Sequence, residues 1–540
     1  MRKLVIFVFL ILMLPIKTSA QSKPFSRFYN LINGNEYGAK LLLDDKGYFL
    51  LTNGICDPGT GNSKGCTSTL TLDDEGEVSN NHIFVNWLMF ASNNAIQKIN
   101  DTIFIYGRDY IKKEKIWYVY RTNFEGDSIE LFTYTFADFE SNTIVAAEAM
   151  QIKDDYIYLL GRTLSIVPWE QIIVLKIDKR GNKVKEERFH SIANPYQINT
   201  AFDMVQTADG NFVISGRSIS KHDDHRNIEP FIIKFDENFD TLWSKRLNRV
   251  SELSNEPHLT AFHDGSVVVS WGLFSGDLSE KLRTLHKIHE RYPSMLYNID
   301  KDGGIVWSDT LWSKAIKGSL GPQKRIIKMI TADNGDIIGC GSYYESYIRR
   351  KWGWIFRYSP DGNMLWEKKY EYKKYPNSKS AFFDLKEADN GDIVCTGELD
   401  INEGWRGNDS YIWLLRVDSM GCFEKGCCPI DTIQLITVDS IVTTDTLNDV
   451  SLDIIVKPNP TSNRINVFLP HMCAINYGGE SSGITWQIFD RVGRKVKSGA
   501  KLQRVKNFYI SVLDLPKGLY FLKVKDRGRN MVSVKKIVVD

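Results

Sequence analysis

The amino-acid sequence predicts an all-β protein, a seven-bladed β-propeller followed by a small C-terminal β-sandwich. A β-branched phrase that ends on glycine recurs seven times, and an Asp-Gly or Asn-Gly turn precedes its last four copies. The terminal glycines, at steps of 53, 54, 55, 56, 69 and 56 residues, are Gly54, Gly107, Gly161, Gly216, Gly272, Gly341 and Gly397. A near-constant period in this range indicates a repeat architecture.

Each repeat contains four short β-type segments separated by turns. In the fourth repeat these include Phe212–Gly216, Phe231–Asp236 and the tryptophan phrase at Leu242–Lys245. The turns are rich in glycine and asparagine, which tolerate the positive φ angles of tight hairpins. Four antiparallel strands joined in this way form one propeller blade, and seven blades close into a ring. We therefore assign residues 21–430 to the propeller.

The seventh repeat lacks its fourth strand, and the N-terminus supplies a candidate for it. The seventh repeat ends near Gly421, whereas residues 24–30 resemble in sequence the fourth-strand phrases at 242–248 and 365–370. The sequence therefore predicts that residues 24–30 complete the seventh blade and close the ring.

The first twenty residues form a predicted signal peptide. Arg2 and Lys3 precede an apolar run from Leu4 to Leu14, and small residues lead up to Ala20. This pattern is typical of a secretory signal and is too short for a membrane-spanning helix. No later segment is apolar for long enough to predict a transmembrane helix, and residue 21 is not the cysteine of a lipoprotein anchor.

Composition excludes some classes of protein. The 68 basic and 66 acidic residues nearly cancel, whereas a nucleic-acid-binding protein is usually strongly basic. No phosphate-binding loop or other cofactor motif is present, so we expect no cofactor. Export permits disulfide bonds. The predicted pairs are Cys56 with Cys66 and one pair among Cys422, Cys427 and Cys428, whereas Cys340 and Cys395 lie in strand phrases typical of buried residues.

Binding residues are expected on the long loops between the second and third strands, because loops on a rigid scaffold usually carry function. Arg108, Arg162 and Arg217 each follow a blade glycine directly and would lie on one rim. They suit carboxylate or sulfate groups, or they pair with local acids. The aromatic candidates for sugar or protein contacts are Tyr110, Trp169, Tyr344, Tyr347, Trp352 and Trp405. Packing between blades is the alternative for these side chains.

Two further features of the loops carry weaker predictions. His222 and His225, with two aspartates between them, are weak candidates for metal ligands, and solvated loop residues are the alternative. The fifth repeat has an insertion at 274–294 whose leucine spacing predicts a short amphipathic helix. We find no catalytic motif.

The amino-acid composition changes in the C-terminal part of the chain. Residues 431–451 are rich in Thr, Asp and Ser and are predicted to be a linker, and residues 452–540 read as a strand-rich module. This module resembles the type A C-terminal sorting domain of the Bacteroidetes type IX secretion system. The residues that carry the resemblance are Pro458, Asn459, Pro460, Gly493, Gly518, Tyr520 and Lys535. The resemblance implies a type IX cargo that contacts the secretion machinery and is exported to the outer-membrane surface or released. The propeller repeats also resemble those found upstream of such domains.

Three functions remain open from the sequence. The first is a non-catalytic module that binds a glycan or an extracellular protein through the long-loop face. The second is an extracellular carbohydrate-active hydrolase or lyase, and the third is a structural or adhesive surface protein. They differ in what lies at the centre of the ring, because an enzyme needs convergent acids or a metal there.

Overall fold

In the computed structural model, β-strands and turns make up almost all of the chain that is described. The described residues are 24–30, 36–55, 65–84, 88–91, 93–109, 116–136, 144–164, 171–189, 197–220, 228–247, 253–273, 294–311, 322–345, 350–374, 378–401, 409–423, 433–436, 440–443, 450–451, 455–457, 461, 463–468, 484–501, 507–526 and 531–540. The insertion predicted to be helical, at 274–294, lies outside them except for Ser294, which begins a strand. Within these ranges no helix has the length and apolarity needed to cross a bilayer.

Seven antiparallel sheets form the ring and confirm the predicted propeller. Blade 1 contains β2 (Glu36–Asp44), β3 (Gly47–Ile55), β4 (Gly65–Leu72) and β5 (Val78–Phe84). Blade 2 contains β6 (Leu88–Phe90), β7 (Ile96–Ile99), β8 (Thr102–Asp109), β9 (Ile116–Thr122) and β10 (Ser128–Thr135). Blade 3 contains β11 (Ile144–Lys153), β12 (Tyr156–Leu164), β13 (Ile172–Asp178) and β14 (Lys183–Phe189). Blade 4 contains β15 (Gln197–Gln206), β16 (Phe212–Ser220), β17 (Ile228–Phe235) and β18 (Thr241–Arg246).

The remaining blades follow the same order from the axis outward. Blade 5 contains β19 (Leu253–Ala261), β20 (Val267–Leu273), β21 (Ser294–Ile299) and β22 (Ile305–Leu311). Blade 6 contains β23 (Pro322–Thr331), β24 (Ile337–Glu345), β25 (Arg350–Tyr358) and β26 (Met364–Tyr372). Blade 7 contains β27 (Lys379–Glu387), β28 (Ile393–Ile401), β29 (Asp409–Val417) and β1 (Phe25–Asn30). The first strand of each blade contacts its counterparts in both neighbouring blades, so these inner strands surround the axis.

The N-terminal strand closes the ring as the sequence predicts. Strand β1 pairs antiparallel with β29, from Phe25 opposite Arg416 to Tyr29 opposite Ile412. Phe28 packs into the core between blades 6 and 7, and Tyr29 packs into the core between blades 7 and 1. The two side chains therefore fix blade 7 to both of its neighbours.

The repeated glycine is explained by a bulge in the inner strand. In blades 3, 4, 6 and 7 one extra residue of the inner strand bulges beside the glycine on the second strand. A Cβ on Gly341 would lie 1.8 Å from the carbonyl oxygen of Arg325, and one on Gly397 would lie 1.9 Å from that of Ala381. No side chain fits at these positions, which accounts for the glycine in each of these copies.

The tryptophan of the fourth strand joins neighbouring blades. Trp243, Trp307 and Trp366 each pack on the glycine of the last turn in the next blade. The Trp307 indole also donates a hydrogen bond of 2.8 Å to the carbonyl oxygen of Pro360. Blade 4 has Phe239 in place of this glycine, at a φ of 69°, and its neighbour has Lys185, whose Nζ lies 5.3 Å from the Phe239 ring centroid. This exception shows that the residue at the tryptophan position of one blade is matched to the residue at the turn position of the next blade.

We expect Gly362→Ala to destabilise the propeller more than Gly335→Ala does. Both glycines have nearly the same positive φ, +84° and +86°, so the backbone strain is shared. A Cβ on Gly362 would also lie 2.7 Å from the Trp307 ring, whereas the nearest atom to one on Gly335 is 3.6 Å away. Strain alone costs about 1 to 2 kcal/mol, and the steric clash adds about 1 to 3 kcal/mol to the Gly362 variant. Urea unfolding measures the difference in stability between the two variants. Equal losses of stability would contradict the packing of Trp307 on Gly362 between blades 5 and 6.

The predicted linker contains three short strands that lie on the outer edges of blades. These tail strands are β30 (Ile433–Ile436), β31 (Ser440–Thr443) and β32 (Val450–Ser451). They pair in parallel with β26 of blade 6, with β1 of blade 7 and with β5 of blade 1, respectively. An outer strand presents unpaired backbone groups, and these segments satisfy some of them. The segment is thus partly integrated into the ring, and β1 is paired on both of its edges.

The C-terminal module is the predicted β-sandwich. Its strands are β33 (Ile455–Lys457), β34 (Arg464–Phe468), β35 (Ile484–Asp490), β36 (Lys495–Lys501), β37 (Asn507–Ser511), β38 (Gly518–Asp526) and β39 (Met531–Val539). One sheet has the order β39-β38-β35-β36 and the other β33-β34-β37. Side chains from both sheets, such as Val467 and Leu522, form one buried core. The β32 strand connects this module to blade 1 by pairing with β39.

Candidate functional site

The centre of the ring contains a layer of buried polar side chains. They come from the innermost segments of six blades and are Lys40, Asn93, Asp203, His258, Lys328 and Asp384. All of them are less than one-tenth exposed. Polar groups buried so completely need hydrogen-bond partners, and those partners determine what the layer can do.

The two aspartates join neighbouring blades. Asp384 Oδ2 accepts a hydrogen bond of 2.9 Å from the Leu41 amide of blade 1, and Oδ1 accepts one of 3.0 Å from the Leu385 amide. Asp203 accepts bonds of 2.8 Å from the Leu259 amide of blade 5 and from the Met204 amide. Each carboxylate therefore satisfies backbone groups of its own inner strand and of the next one.

Blade 2 extends hydrogen bonds across the axis. Its inner strand is interrupted between β6 and β7, and the gap holds Asn93 and Asn94. Asn93 Oδ1 lies 3.2 Å from His258 Nδ1 of blade 5, and Lys328 Nζ of blade 6 donates a bond of 2.6 Å to Asn94 Oδ1. We name Asn94, together with the six residues of the polar layer, the axial cluster; it spans the centre of the ring.

Electrostatics in the axial cluster follow from burial. Burial lowers the pKa of Lys40, an effect that Asp384 opposes, and it holds the pKa of His258 well below the ordinary value, helped by Lys328. Burial raises the pKa of Asp203 to about 6, although Lys328 and the two amide donors oppose the shift. The imidazole is therefore neutral at pH 7, and Asp203 titrates in the mildly acidic range.

Asp203 should make the stability of the propeller depend on pH. Because its folded-state pKa is about 6 and the ordinary value is 3.8, the folded protein holds this proton more tightly. Its contribution to stability is present below pH 4 and is lost as the pH rises to 6. We therefore expect Asp203→Asn to destabilise the protein more at pH 4 than at pH 7, by urea unfolding. A loss that is equal at both pH values would contradict the raised pKa.

An arginine pair lies at the end of blades 3 and 4 from which the long loops leave. Arg162 Nε donates a bond of 2.6 Å to Oε1 of Glu148, the bulge residue of blade 3. The guanidinium carbons of Arg162 and Arg217 lie 4.7 and 5.3 Å from the ring centroid of Phe202, the bulge residue of blade 4. Both arginines are partly exposed, and Phe202 is buried. We name Glu148, Arg162, Phe202 and Arg217 the rim cluster.

The structure brings two of the three predicted arginines together on one aromatic ring. Arg108 lies on β8 of blade 2, is partly exposed and is paired in register with Met89 and Trp117. The sequence did not single out Glu148, Phe202 or the axial cluster as functional candidates. A signal was available, because polar residues such as Asp203, Lys328 and Asp384 interrupt apolar inner strands, each opposite the residue that precedes a blade glycine.

Trp352 requires a correction as a ligand-binding candidate. Its side chain is only 4% exposed and belongs to the core between blades 5 and 6. The indole Nε1 donates a bond of 3.2 Å to Glu371, and the ring meets Tyr343 edge to face. Tyr344, next on the strand, is partly exposed and stays a candidate. The other aromatic candidates, Tyr110, Trp169, Tyr347 and Trp405, lie outside the described residues.

Cysteine and metal predictions have mixed outcomes. Cys340 and Cys395 are free and fully buried, as predicted. Cys422 is buried, and its Sγ lies 3.6 Å from Lys368 Nζ. Cys56 and Cys427 lie outside the described ranges, as do His222 and His225, so the disulfide and metal assignments remain predictions. Among the residues that are described, no three His, Cys, Asp or Glu side chains form a group able to hold a metal ion.

The motif residues of the C-terminal module support its turns and strands. Gly493 has a φ of +80° in the hairpin turn after β35, and Gly518 begins β38. The Tyr520 hydroxyl donates a bond of 2.7 Å to the carbonyl oxygen of Pro516, and Lys535 lies on β39. Pro458, Asn459 and Pro460 fall outside the described part of the chain.

Comparisons with solved structures return glycoside-processing enzymes at low similarity. The α-L-arabinofuranosidase of Fusarium graminearum, in complex with an iminosugar inhibitor, is 10% identical over 59% of this chain and 92% of its own, with a TM-score of 0.36. The NanB sialidase from Streptococcus pneumoniae is 12% identical over 74% of this chain and 57% of its own, with a TM-score of 0.32. No curated protein matches the sequence.

The C-terminal module has a family match. Residues 456–540 match the model of the secretion system C-terminal sorting domain. This range covers the strands of the sandwich and the motif residues on which the resemblance rests. The chain is therefore a cargo of the type IX secretion system, exported to the cell surface or the extracellular space, with its sorting domain at residues 456–540.

Proposed function

We propose that the exported propeller is a non-catalytic module that binds a glycan or an extracellular protein through its long-loop face. The observation that carries the proposal is that the buried acids of the inner strands are engaged in structural hydrogen bonds. Asp203 and Asp384 each accept two backbone amides, and Glu148 binds Arg162. Acids engaged in this way support the scaffold and are poorly placed to act as a catalytic pair.

The rim cluster favours the long-loop face as the binding surface. Arg162 and Arg217 are partly exposed there, and both contact the same buried ring, which holds them in fixed positions. Pre-positioned polar groups lose little freedom when a ligand binds. The hydrolase alternative keeps one supporting observation, the raised pKa of Asp203, which is a property common in catalytic acids.

A binding screen with a parallel turnover assay tests the proposal. The mature chain, residues 21–540, is presented to neutral and acidic polysaccharides and to extracellular proteins, while product release is followed by reducing-end analysis. Saturable binding without new reducing ends supports a binding module. Release of sugar that is lost in an Asp203→Asn or Glu148→Gln variant that is still folded at the assay temperature supports the hydrolase instead.

Two neighbouring aromatic residues of blade 6 should behave differently in this screen. Trp352→Ala removes a buried side chain and should lower the free energy of unfolding by about 3 to 5 kcal/mol. Tyr344→Ala changes a partly exposed side chain and should leave stability within about 1 kcal/mol while weakening ligand binding. Thermal unfolding and a binding titration of both variants check the contrast. Similar stability of the two variants would contradict the burial of Trp352.

A further inference from the structure

We propose that the rim cluster binds the carboxylate of an acidic sugar, with Arg162 and Arg217 as the groups that hold it. This proposal rests on the binding function above and names the chemical class of its ligand. It concerns one end of the ring, at blades 3 and 4. The rim cluster is joined to the axial cluster through Asn93, whose Nδ2 donates a bond of 3.0 Å to the carbonyl oxygen of Phe202.

The two guanidinium groups are held close together by the fold. Each arginine follows the glycine of its blade, so they occupy equivalent positions on adjacent second strands. Both guanidinium carbons lie within 5.3 Å of the Phe202 ring centroid, 4.7 Å for Arg162 and 5.3 Å for Arg217. The distances are those of cation–π contacts, which orient the planar groups against the ring. Phe202 is only 1% exposed, so the platform itself is fixed.

The charge of the rim cluster favours an anion. Within the four residues of the rim cluster, two guanidinium groups accompany one carboxylate, that of Glu148, whose side chain is 3% exposed. The bond between Glu148 and Arg162 uses Nε, one of five N–H donors in the planar fork. The cluster therefore carries a net positive charge, in partly buried surroundings where charges act more strongly than in water.

A carboxylate on a sugar ring fits the rim cluster. The planar fork of arginine binds the two oxygens of a carboxylate in a bidentate arrangement, and in a uronic acid this group is attached directly to a carbon atom of the sugar ring. The bulge residues of blades 6 and 7, Ile327 and Phe383, are half-buried and supply apolar surface at the same level of the ring. A pyranose ring has apolar faces that can use such a surface, so a uronic acid combines both requirements.

The experiment compares four polymers on the mature chain, residues 21–540. The probes are oligogalacturonate, its methyl ester, dextran sulfate and dextran, titrated by calorimetry at fixed salt. We expect oligogalacturonate to bind and the methyl ester to bind at least tenfold more weakly. If dextran sulfate binds with the same affinity as oligogalacturonate, the site recognises negative charge alone, and the carboxylate assignment is overturned.

Variants test the named residues. Arg162→Gln and Arg217→Gln should each weaken oligogalacturonate binding about tenfold or more, and Glu148→Gln should strengthen it because a competing negative charge is removed. Arg162→Lys keeps the charge without the fork and should also weaken binding. The control is Arg121→Gln, which alters a partly buried arginine of blade 2 that is paired with Glu130. Melting temperatures confirm that each variant is folded.

The outcomes separate this proposal from the function on which it rests. One outcome is that dextran or the methyl ester binds with an affinity that the arginine variants do not change. This result would still support a glycan-binding propeller, but it would overturn the proposal that the ligand is an acidic sugar. Oligogalacturonate binding that is unaffected by both Gln variants would place the ligand elsewhere and overturn the site. Binding of none of the four polymers would overturn this proposal, while a protein ligand in the earlier screen would still support the binding function.

Discussion

Deletion of residues 21–32 should abolish cooperative folding of the propeller. The deletion removes β1, which pairs with β29 on one side and with β31 on the other. It also removes Phe28 and Tyr29, both fully buried in the two cores that flank blade 7. Loss of β1 removes the outer strand of blade 7 and its covalent connection to blade 1. The pairing of the tail strand β32 with β5 is a single residue pair in register and is too short to replace it, so the ring opens. Circular dichroism and thermal unfolding of the purified chain measure the effect.

A matched truncation and a point variant sharpen this result. A chain that begins at Pro24 keeps β1 and should unfold at the temperature of the full mature chain. Phe28→Ala, in the full chain, should lower the free energy of unfolding by about 3 to 5 kcal/mol, because it empties a buried aromatic site beside Trp413. If the deleted chain unfolded with the cooperativity and midpoint of the control, closure by the N-terminal strand would be refuted.

Asp384→Ala should cause the second large loss of stability. The carboxylate accepts the Leu41 amide across the junction of blades 7 and 1, where the ring closes. It also opposes the effect of burial on Lys40 and Lys386, whose pKa values burial lowers. Removing it leaves two amides without this acceptor, and it leaves the buried Lys40 and the partly exposed Lys386 without this counter-charge. The expected cost is about 3 to 5 kcal/mol, measured by urea unfolding at pH 7.

Three further variants show whether the effect belongs to this position. Asp389→Ala, an exposed aspartate on a turn of the same blade, should change stability by less than about 0.5 kcal/mol. Asp384→Asn keeps one acceptor and should fall between the two. Asp203→Ala, at the equivalent junction of blades 4 and 5, should resemble Asp384→Ala. An Asp384→Ala chain as stable as the Asp389 control would contradict the role of the carboxylate in joining blades.

The ring was predictable because its repeats leave local marks in the sequence. Glycines such as Gly341 and Gly397 recur since a carbonyl oxygen of the inner strand occupies the space of their side chains. The N-terminal strand was predictable for a related reason, since residues 24–30 resemble the fourth-strand phrases at 242–248 and 365–370. Local patterns of this kind survive in one sequence without any knowledge of long-range contacts.

Contacts between distant parts of the chain left no such mark. The tail strands are four residues long or shorter and pair in parallel with strands far away in the sequence, so residues 431–451 resembled a linker. Asn93 and Asn94 of blade 2 have partners as distant as His258 of blade 5 and Lys328 of blade 6. Trp352 follows a loop rich in aromatic residues, and only packing distinguishes its buried ring from the partly exposed Tyr344.

The most direct test of the account is a titration of the mature chain with oligogalacturonate, followed by analysis of the same samples for new reducing ends. The account predicts saturable binding that Arg162→Gln and Arg217→Gln weaken about tenfold or more, with the polymer recovered intact. Cleavage of the polymer that disappears in a folded Asp203→Asn or Glu148→Gln variant would contradict it and identify the propeller as a hydrolase or lyase.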